Sequence, residues 1–181
     1  MAYLILGLIL WTAAHLFKRV APELRAGMGN VGKGLVAVGV LAGLGLMTYG
    51  YRQAEFINIW FPPAWTVHLN NLMMLGAVFL YGMSATKGRL RGALRHPQLT
   101  AVKVWAVAHL LVNGDLASLI LFGGLLAWAV LEVVVINLSE AWERPAPGEA
   151  KRDIILGVIT VVLFFGMTFV HNWLGVWPFP G

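Results

Sequence analysis

Six apolar stretches dominate the chain, at about 2–20, 34–52, 66–86, 98–113, 116–138 and 153–175. A helix needs roughly 20 residues to cross ~30 Å of hydrocarbon, and five of the six meet that length. The stretch 98–113 is short and reads as tilted, re-entrant, or half of a tight hairpin with 116–138. The link between those two is Asn113-Gly114-Asp115. There Gly114 suits a left-handed helix C-cap, and Asp115 suits the N-cap of the helix that follows. The pattern predicts an all-α polytopic membrane bundle of about six transmembrane helices, with a short helical hairpin at 98–138. At 181 residues it reads as a single domain over 1–181.

Composition strengthens this reading. Hydrophobic residues make up 59% of the chain and charged ones only 12%, far fewer than a soluble domain of this size exposes. The N-terminal run has no basic segment before it and no evident cleavage site, so it reads as a spanning helix and not a signal peptide. No cysteine is present, which removes disulfides, thiolate metal sites and a thiolate-ligated haem. The net charge of +5 reports orientation in a membrane more readily than affinity for nucleic acid. Lys18, Arg19, Arg25 and Lys33 flank the first connection. Lys87, Arg89, Arg91, Arg95 and Lys103 flank the third, and Arg144, Lys151 and Arg152 the fifth; the even connections carry Arg52 alone. Basic residues concentrate on the cytoplasmic side, so both termini are expected outside the cytoplasm. Trp60, Phe61, Trp65, Trp173, Trp177 and Phe179 suit an aromatic belt at the opposite interface. Gly39, Gly43 and Gly50 keep one face of the second stretch narrow enough for close helix packing.

Polar groups inside the spans each need an account, because an ionisable residue at the bilayer centre is costly. His15 lies in the first stretch, His109 deep in the fourth and His171 near the outer end of the sixth. Gln98, Val102, Trp105, His109 and Asn113 recur every three or four residues, which places them on one side of a helix that should face the bundle. His96 is thirteen residues from His109, a rotation of roughly 220°, so the two do not share a face. Two readings stand for the buried histidines. Neutral imidazoles from different helices can ligate haem iron, with His15 and His109 at similar depth and His171 as another partner. Alternatively, each hydrogen-bonds a carbonyl or an asparagine. Glu132, near the cytoplasmic end of the fifth stretch, is matched in depth by Lys103, and an ion pair between them is expected. Paired histidines for a di-iron site, a zinc-protease motif, a phosphate-binding glycine loop and a serine-hydrolase elbow are all missing.

The run RHPQLTAVKVWAVAHLLVNGDLASLILFGG closely resembles the NnrU family of bacterial membrane proteins, as do AHLFKRVAPELR, VHLNNLMMLGAVF and VHNWLGV. The resemblance covers nearly the whole chain. It implies a place in the bacterial inner membrane and an association with denitrification and nitric oxide metabolism, with no settled activity. The chain is also similar, at Arg95-His96-Pro97-Gln98 and Trp105-x-x-x-His109, to the 15-cis-zeta-carotene isomerases, which use haem b with histidine ligands. That likeness implies His15 and His109 as iron ligands; His171 as another candidate partner, and Trp105 and Asn113 on the same face as His109, complete the expected cofactor-binding set. Ala106 stands where the isomerases carry a cysteine, so thiolate switching is not expected. A weaker likeness at Arg95-His96-Pro97 is to isoprenylcysteine-type membrane methyltransferases; Glu140 and Glu143 only loosely replace their acidic pair. Three functions follow: a haem b protein of nitrogen-oxide metabolism, a haem-dependent isomerase of an apolar polyene, or a non-catalytic partner of a nitrogen-oxide reductase. The expected surroundings are the lipid bilayer and an apolar substrate or NO, without nucleic acid.

Overall fold

A computed structural model of the protein describes residues 1–180. The elements are α1 (Ala2–Val20), α2 (Pro22–Gly27), α3 (Gly29–Arg52), α4 (Thr66–Met83), a 3-10 turn (Arg89–Gly92), α5 (Pro97–Val112), α6 (Leu116–Ser139) and α7 (Ala150–Trp173), with no strand among the described residues. Each apolar stretch forms one helix. Four of them, α1, α3, α6 and α7, are long and apolar enough to cross a membrane; α5 is a shorter apolar helix. In α4 the polar residues His68, Asn70 and Asn71 dilute an otherwise apolar sequence. The helices form a membrane protein whose outer faces are apolar: on α7 alone Ile154, Val158, Val162, Phe165 and Phe169 are exposed. Two boundaries differ from the hydropathy pattern. The basic connection contains the extra helix α2, begun by Pro22 in its first turn, and α3 starts at Gly29, five residues before its apolar run. Gly29 allows that early start because it turns the chain at a φ of +52°.

The chain divides into two compact units, each drawn from two separate stretches of sequence. The first contains Met1–Trp60 and Gly114–Glu140. Within it α1 packs on α3 along glycines, as small-residue spacing predicts. A Cβ on Gly43 would lie 2.9 Å from the Trp11 nitrogen, and one on Gly7 would lie 2.6 Å from the Met47 nitrogen. A Cβ on Gly50 would meet the Leu4 backbone, and one on Gly39 would press on Ala14 at 3.2 Å. The helix backbones therefore touch directly, and Leu4 and Met47 are buried beside the contact.

At the start of α6, Asp115 is the N-cap: its carboxylate accepts from the Ser118 amide at 2.9 Å and the Ser118 hydroxyl at 2.6 Å. The Ser118 hydroxyl also meets Tyr51 Oη at 2.8 Å, tying the cap to the end of α3. The left-handed cap expected at Gly114 does not form. Asn113 ends α5 in an extended conformation, with φ −120° and ψ 112°. The reason is a competing backbone pairing. The Gly114 carbonyl accepts from the amides of Ile59 and Trp60 at 2.7 and 3.0 Å, and the Leu116 amide donates to Ile57 at 2.8 Å. An extended chain can make these bonds and a left-handed turn cannot. Replacing Asp115→Ala removes the cap and strands the Ser118 amide, with an expected loss of about 1–2 kcal/mol in unfolding free energy. Reversible unfolding in mixed micelles checks this; a loss near zero would mean that water caps α6 equally well.

The second unit contains Phe61–Asn113 and Ala141–Gly181. In it α4 packs on α5 and α7. A Cβ on Gly82, at the end of α4, would lie 2.7 Å from Leu156, near the start of α7. At the other end Asn71 donates to the Pro178 carbonyl at 2.9 Å. The two helices therefore run antiparallel. The C-terminal segment folds back along α7, with the Phe179 ring 6.4 Å from that of Phe164. Phe179 is thus half-buried against its own helix, whereas Trp65, Trp173 and Trp177 are exposed as an interfacial belt requires.

Candidate functional site

In the second unit His109 is held by its own helix. Pro97 occupies the first turn of α5, where its missing N–H costs nothing. Three turns later His109 Nδ1 bonds the Trp105 carbonyl at 2.9 Å. A carbonyl only accepts, so Nδ1 carries the proton and the neutral ring keeps its lone pair on Nε2. Asn113 Nδ2 donates to the His109 carbonyl at 2.8 Å, and the Trp105 and His109 rings lie 5.1 Å apart. On α7, His171 repeats the arrangement, with Nδ1 bonded to the Met167 carbonyl at 2.8 Å. His171 sits within electrostatic reach of His109. His109, His171, Trp105 and Asn113 all belong to this unit.

Beside them is an apolar cleft of about 270 Å³ between α4, α5 and α7. Trp105 and Met167, whose carbonyls orient the two histidines, both line it, as do Val102 and Met74. Each histidine thus stands one helical turn beyond the cleft wall. On α4 the equivalent position, one turn before Met74, is Asn70. That residue is buried; its Nδ2 meets Asn71 Oδ1 at 3.2 Å, and its Oδ1 has no partner. Thr160, another cleft residue, is buried with an unpartnered hydroxyl. Gln98 departs from the expected inward face, being exposed at the first turn of α5. The positions most completely buried on α5 are the small residues Ala101, Ala106 and Ala108.

His15 belongs to the first unit. Its Nδ1 bonds the Trp11 carbonyl at 2.9 Å, and its ring packs on Trp11 and Trp128, with centroids 4.3 and 4.8 Å away. One turn along α6 from Trp128 is Glu132, buried, with His15 and Arg19 within electrostatic reach and Oε2 unpartnered. The indole nitrogens of Trp11 and Trp128 are also buried without a partner. Arg19, one turn beyond His15, pairs with Glu140 at the end of α6. His15 and His109, like Glu132 and Lys103, thus belong to different units. Of the remaining histidines, His68 is exposed, and His96 precedes α5 and accepts the Thr100 amide through its backbone carbonyl at 2.9 Å.

Trp11, Trp128, Asn70 and Thr160 are the site neighbours that sequence reasoning did not assign. A signal for one of them existed: Trp11-x-x-x-His15 repeats the Trp105-x-x-x-His109 spacing, and in both the tryptophan carbonyl receives the histidine Nδ1–H. Among the described residues no group of three or more His, Cys, Asp or Glu gathers as a metal cage. No curated protein and no solved structure matches the chain. The family model described as NnrU protein matches residues 3–178, from the first turn of α1 to the folded-back tail, and the chain belongs to the NnrU family.

Proposed function

We propose that this NnrU-family protein binds haem b in the bacterial inner membrane, with both termini on the non-cytoplasmic side, and acts in nitrogen-oxide metabolism. The observation that carries the reading is the setting of His109, with Nδ1 bonded to a backbone carbonyl and an apolar cleft one turn away. Iron-binding histidines characteristically donate their other ring nitrogen in this way, which fixes the tautomer and raises the basicity of the ligating atom. The donor set fits the group: neutral imidazole for iron and apolar walls for a macrocycle. His109 would hold the iron, with His171 and His15 as the other candidate ligands. Bound haem supplies an iron centre that takes NO or exchanges an electron. The Trp105 carbonyl orients the ligand ring, and Asn113 holds the backbone carbonyl of His109 at the end of α5.

The length of the cleft favours a second reading. Its walls on α7 run from Leu156 to Met167, about 16 Å at the helical rise per residue. That length suits an extended apolar molecule, as a haem-dependent polyene isomerase requires. Visible spectra of the purified protein, oxidised and reduced, test both readings. A Soret band near stoichiometry is expected, lost or displaced in His109→Ala. Whichever of His15→Ala and His171→Ala also alters the spectrum would identify a second histidine ligand. A change of the reduced band with NO supports the first reading, and a band that ignores NO but responds to an added polyene supports the second. A colourless protein expressed with haem supplied sinks both and leaves the histidines as packing groups beside a non-catalytic partner.

A further inference from the structure

At the end of the second unit where α4 finishes and α5 and α7 begin, two loops are knitted into a platform. The Gly148 amide donates to the Gly88 carbonyl at 3.0 Å. A Cβ on Gly148 would strike the Lys87 carbonyl, and one on Gly92 would lie 2.6 Å from that of Pro145. The loops therefore meet backbone to backbone and cannot drift apart as free snorkelling chains do. Asp153, in the first turn of α7, accepts the amides of Arg89 and Leu90 at 3.0 and 3.4 Å. Its charge is thereby turned toward the backbone of the 3-10 turn.

The platform presents Lys87, Arg89, Arg91 and Arg144, none of which joins an ion pair among the described residues. Lys151 and Arg152 beside them share Glu149. Lys87 stands at a φ of +55°, a conformation that disfavours a side chain and suits glycine. A strained lysine within a cluster of cations that join no ion pair, Arg144 lying over the Trp142 ring at 5.6 Å, points to a charge retained for binding. Leu90, Leu94 and Trp142 are exposed among the cations, so the surface alternates apolar and basic groups at the mouth of the spanning helices.

We propose that this platform is a binding site for the headgroups of anionic phospholipids. Basic groups beside spanning helices attract such lipids over a distance set by screening. Here the fixed backbone would hold four cations in one constellation, while Leu90, Leu94 and Trp142 would lie against the acyl-chain boundary. Lys87 would then be the most informative position, because glycine there relieves strain and removes charge together.

Spin-labelled phosphatidylglycerol and phosphatidylcholine, each added to the protein reconstituted in phosphatidylcholine, would test the proposal by their motionally restricted fractions. The expected result is a preference for phosphatidylglycerol of about fivefold, falling to about onefold in Arg89→Gln/Arg144→Gln and declining with salt. Lys87→Gly should weaken the preference while raising the unfolding midpoint. Circular dichroism of each variant confirms that it is folded. No preference in the wild type, or one unchanged in the double variant, would overturn the proposal. Full displacement of phosphatidylglycerol by millimolar inorganic phosphate would also overturn it, marking a site for a free anion.

Discussion

Gly43→Leu is expected to abolish the fold of the first unit, while Gly45→Leu, two residues along the same helix, leaves it intact. Nothing lies within 4 Å of a Cβ on Gly45, which faces outward from α3. A Cβ on Gly43 meets the Trp11 nitrogen at 2.9 Å, the Gly7 carbonyl oxygen at 3.1 Å and the Trp11 Cα at 3.2 Å. These are backbone atoms in the middle of α1 and cannot step aside as a side chain can. Accommodating leucine requires the two helices to separate, which breaks the contact along its whole length and moves the Trp11–His15–Trp128 cluster with it. Overpacking a core costs about 1–3 kcal/mol where side chains can shift; a backbone collision should exceed about 3 kcal/mol. Gly50→Leu should cost less than Gly43→Leu, because it strikes the first turn of α1, around Leu4, and that turn can fray. Replacing Gly45 by leucine removes a poor helix former from a lipid-facing position and is expected to gain a few tenths of a kcal/mol. Denaturation in mixed micelles followed by near-ultraviolet dichroism ranks the variants; equal behaviour of positions 43 and 45 would refute the glycine-seam account.

Those glycines show how much of the fold the sequence exposes. Hydropathy located all six apolar helices because lipid leaves the backbone few alternatives to a helix, and every unpaired N–H or C=O there is expensive. The spacing of Gly39, Gly43 and Gly50 identified a close-packing face, and Asp115 was legible as a cap because its side chain acts on the next turn. Gly114 was not legible. Its conformation is decided by Ile57, Ile59 and Trp60, more than fifty residues earlier, and local propensity has no view of such a partner. The helix α2 and the early start of α3 were hidden for a similar reason: hydropathy reports lipid exposure, and these residues are helical without being apolar. The candidate site divides along the same line. The face bearing Trp105, His109 and Asn113 follows from helical period alone. That His171, His109 and Asn70 fall in one unit emerges only once the helices are packed. The cleft is invisible in sequence, since its lining comes from three separate segments.

Glu132→Leu is expected to stabilise the protein by about 1–3 kcal/mol, the opposite sign to most substitutions of a buried residue. Glu132 is 8% exposed on a spanning helix, and its Oε2 accepts no hydrogen bond. A carboxyl oxygen buried in this state forfeits solvation with no hydrogen bond to replace it, and replacing such a group by a hydrocarbon side chain of similar volume is often neutral or favourable. The neighbouring Arg19 does not depend on it, having Glu140 as its ion-pair partner. Glu132→Gln keeps the volume and the polarity and should remain close to the wild type, so the pair of variants separates polarity from packing. The outcome depends on Lys103. Were the ion pair suggested by matched depth the true partner of Glu132, leucine would strand a lysine in the membrane, and the protein would lose about 3–5 kcal/mol instead. Unfolding free energies of the two variants, with Glu132→Leu/Lys103→Leu beside them, decide the sign and its cause. A stabilised Glu132→Leu would mean that the fold carries this carboxyl group at a cost. An ionisable residue inside a membrane span is by default a functional-site hypothesis, and that would mark the cluster of Trp11, His15, Trp128 and Glu132 as kept for something other than stability.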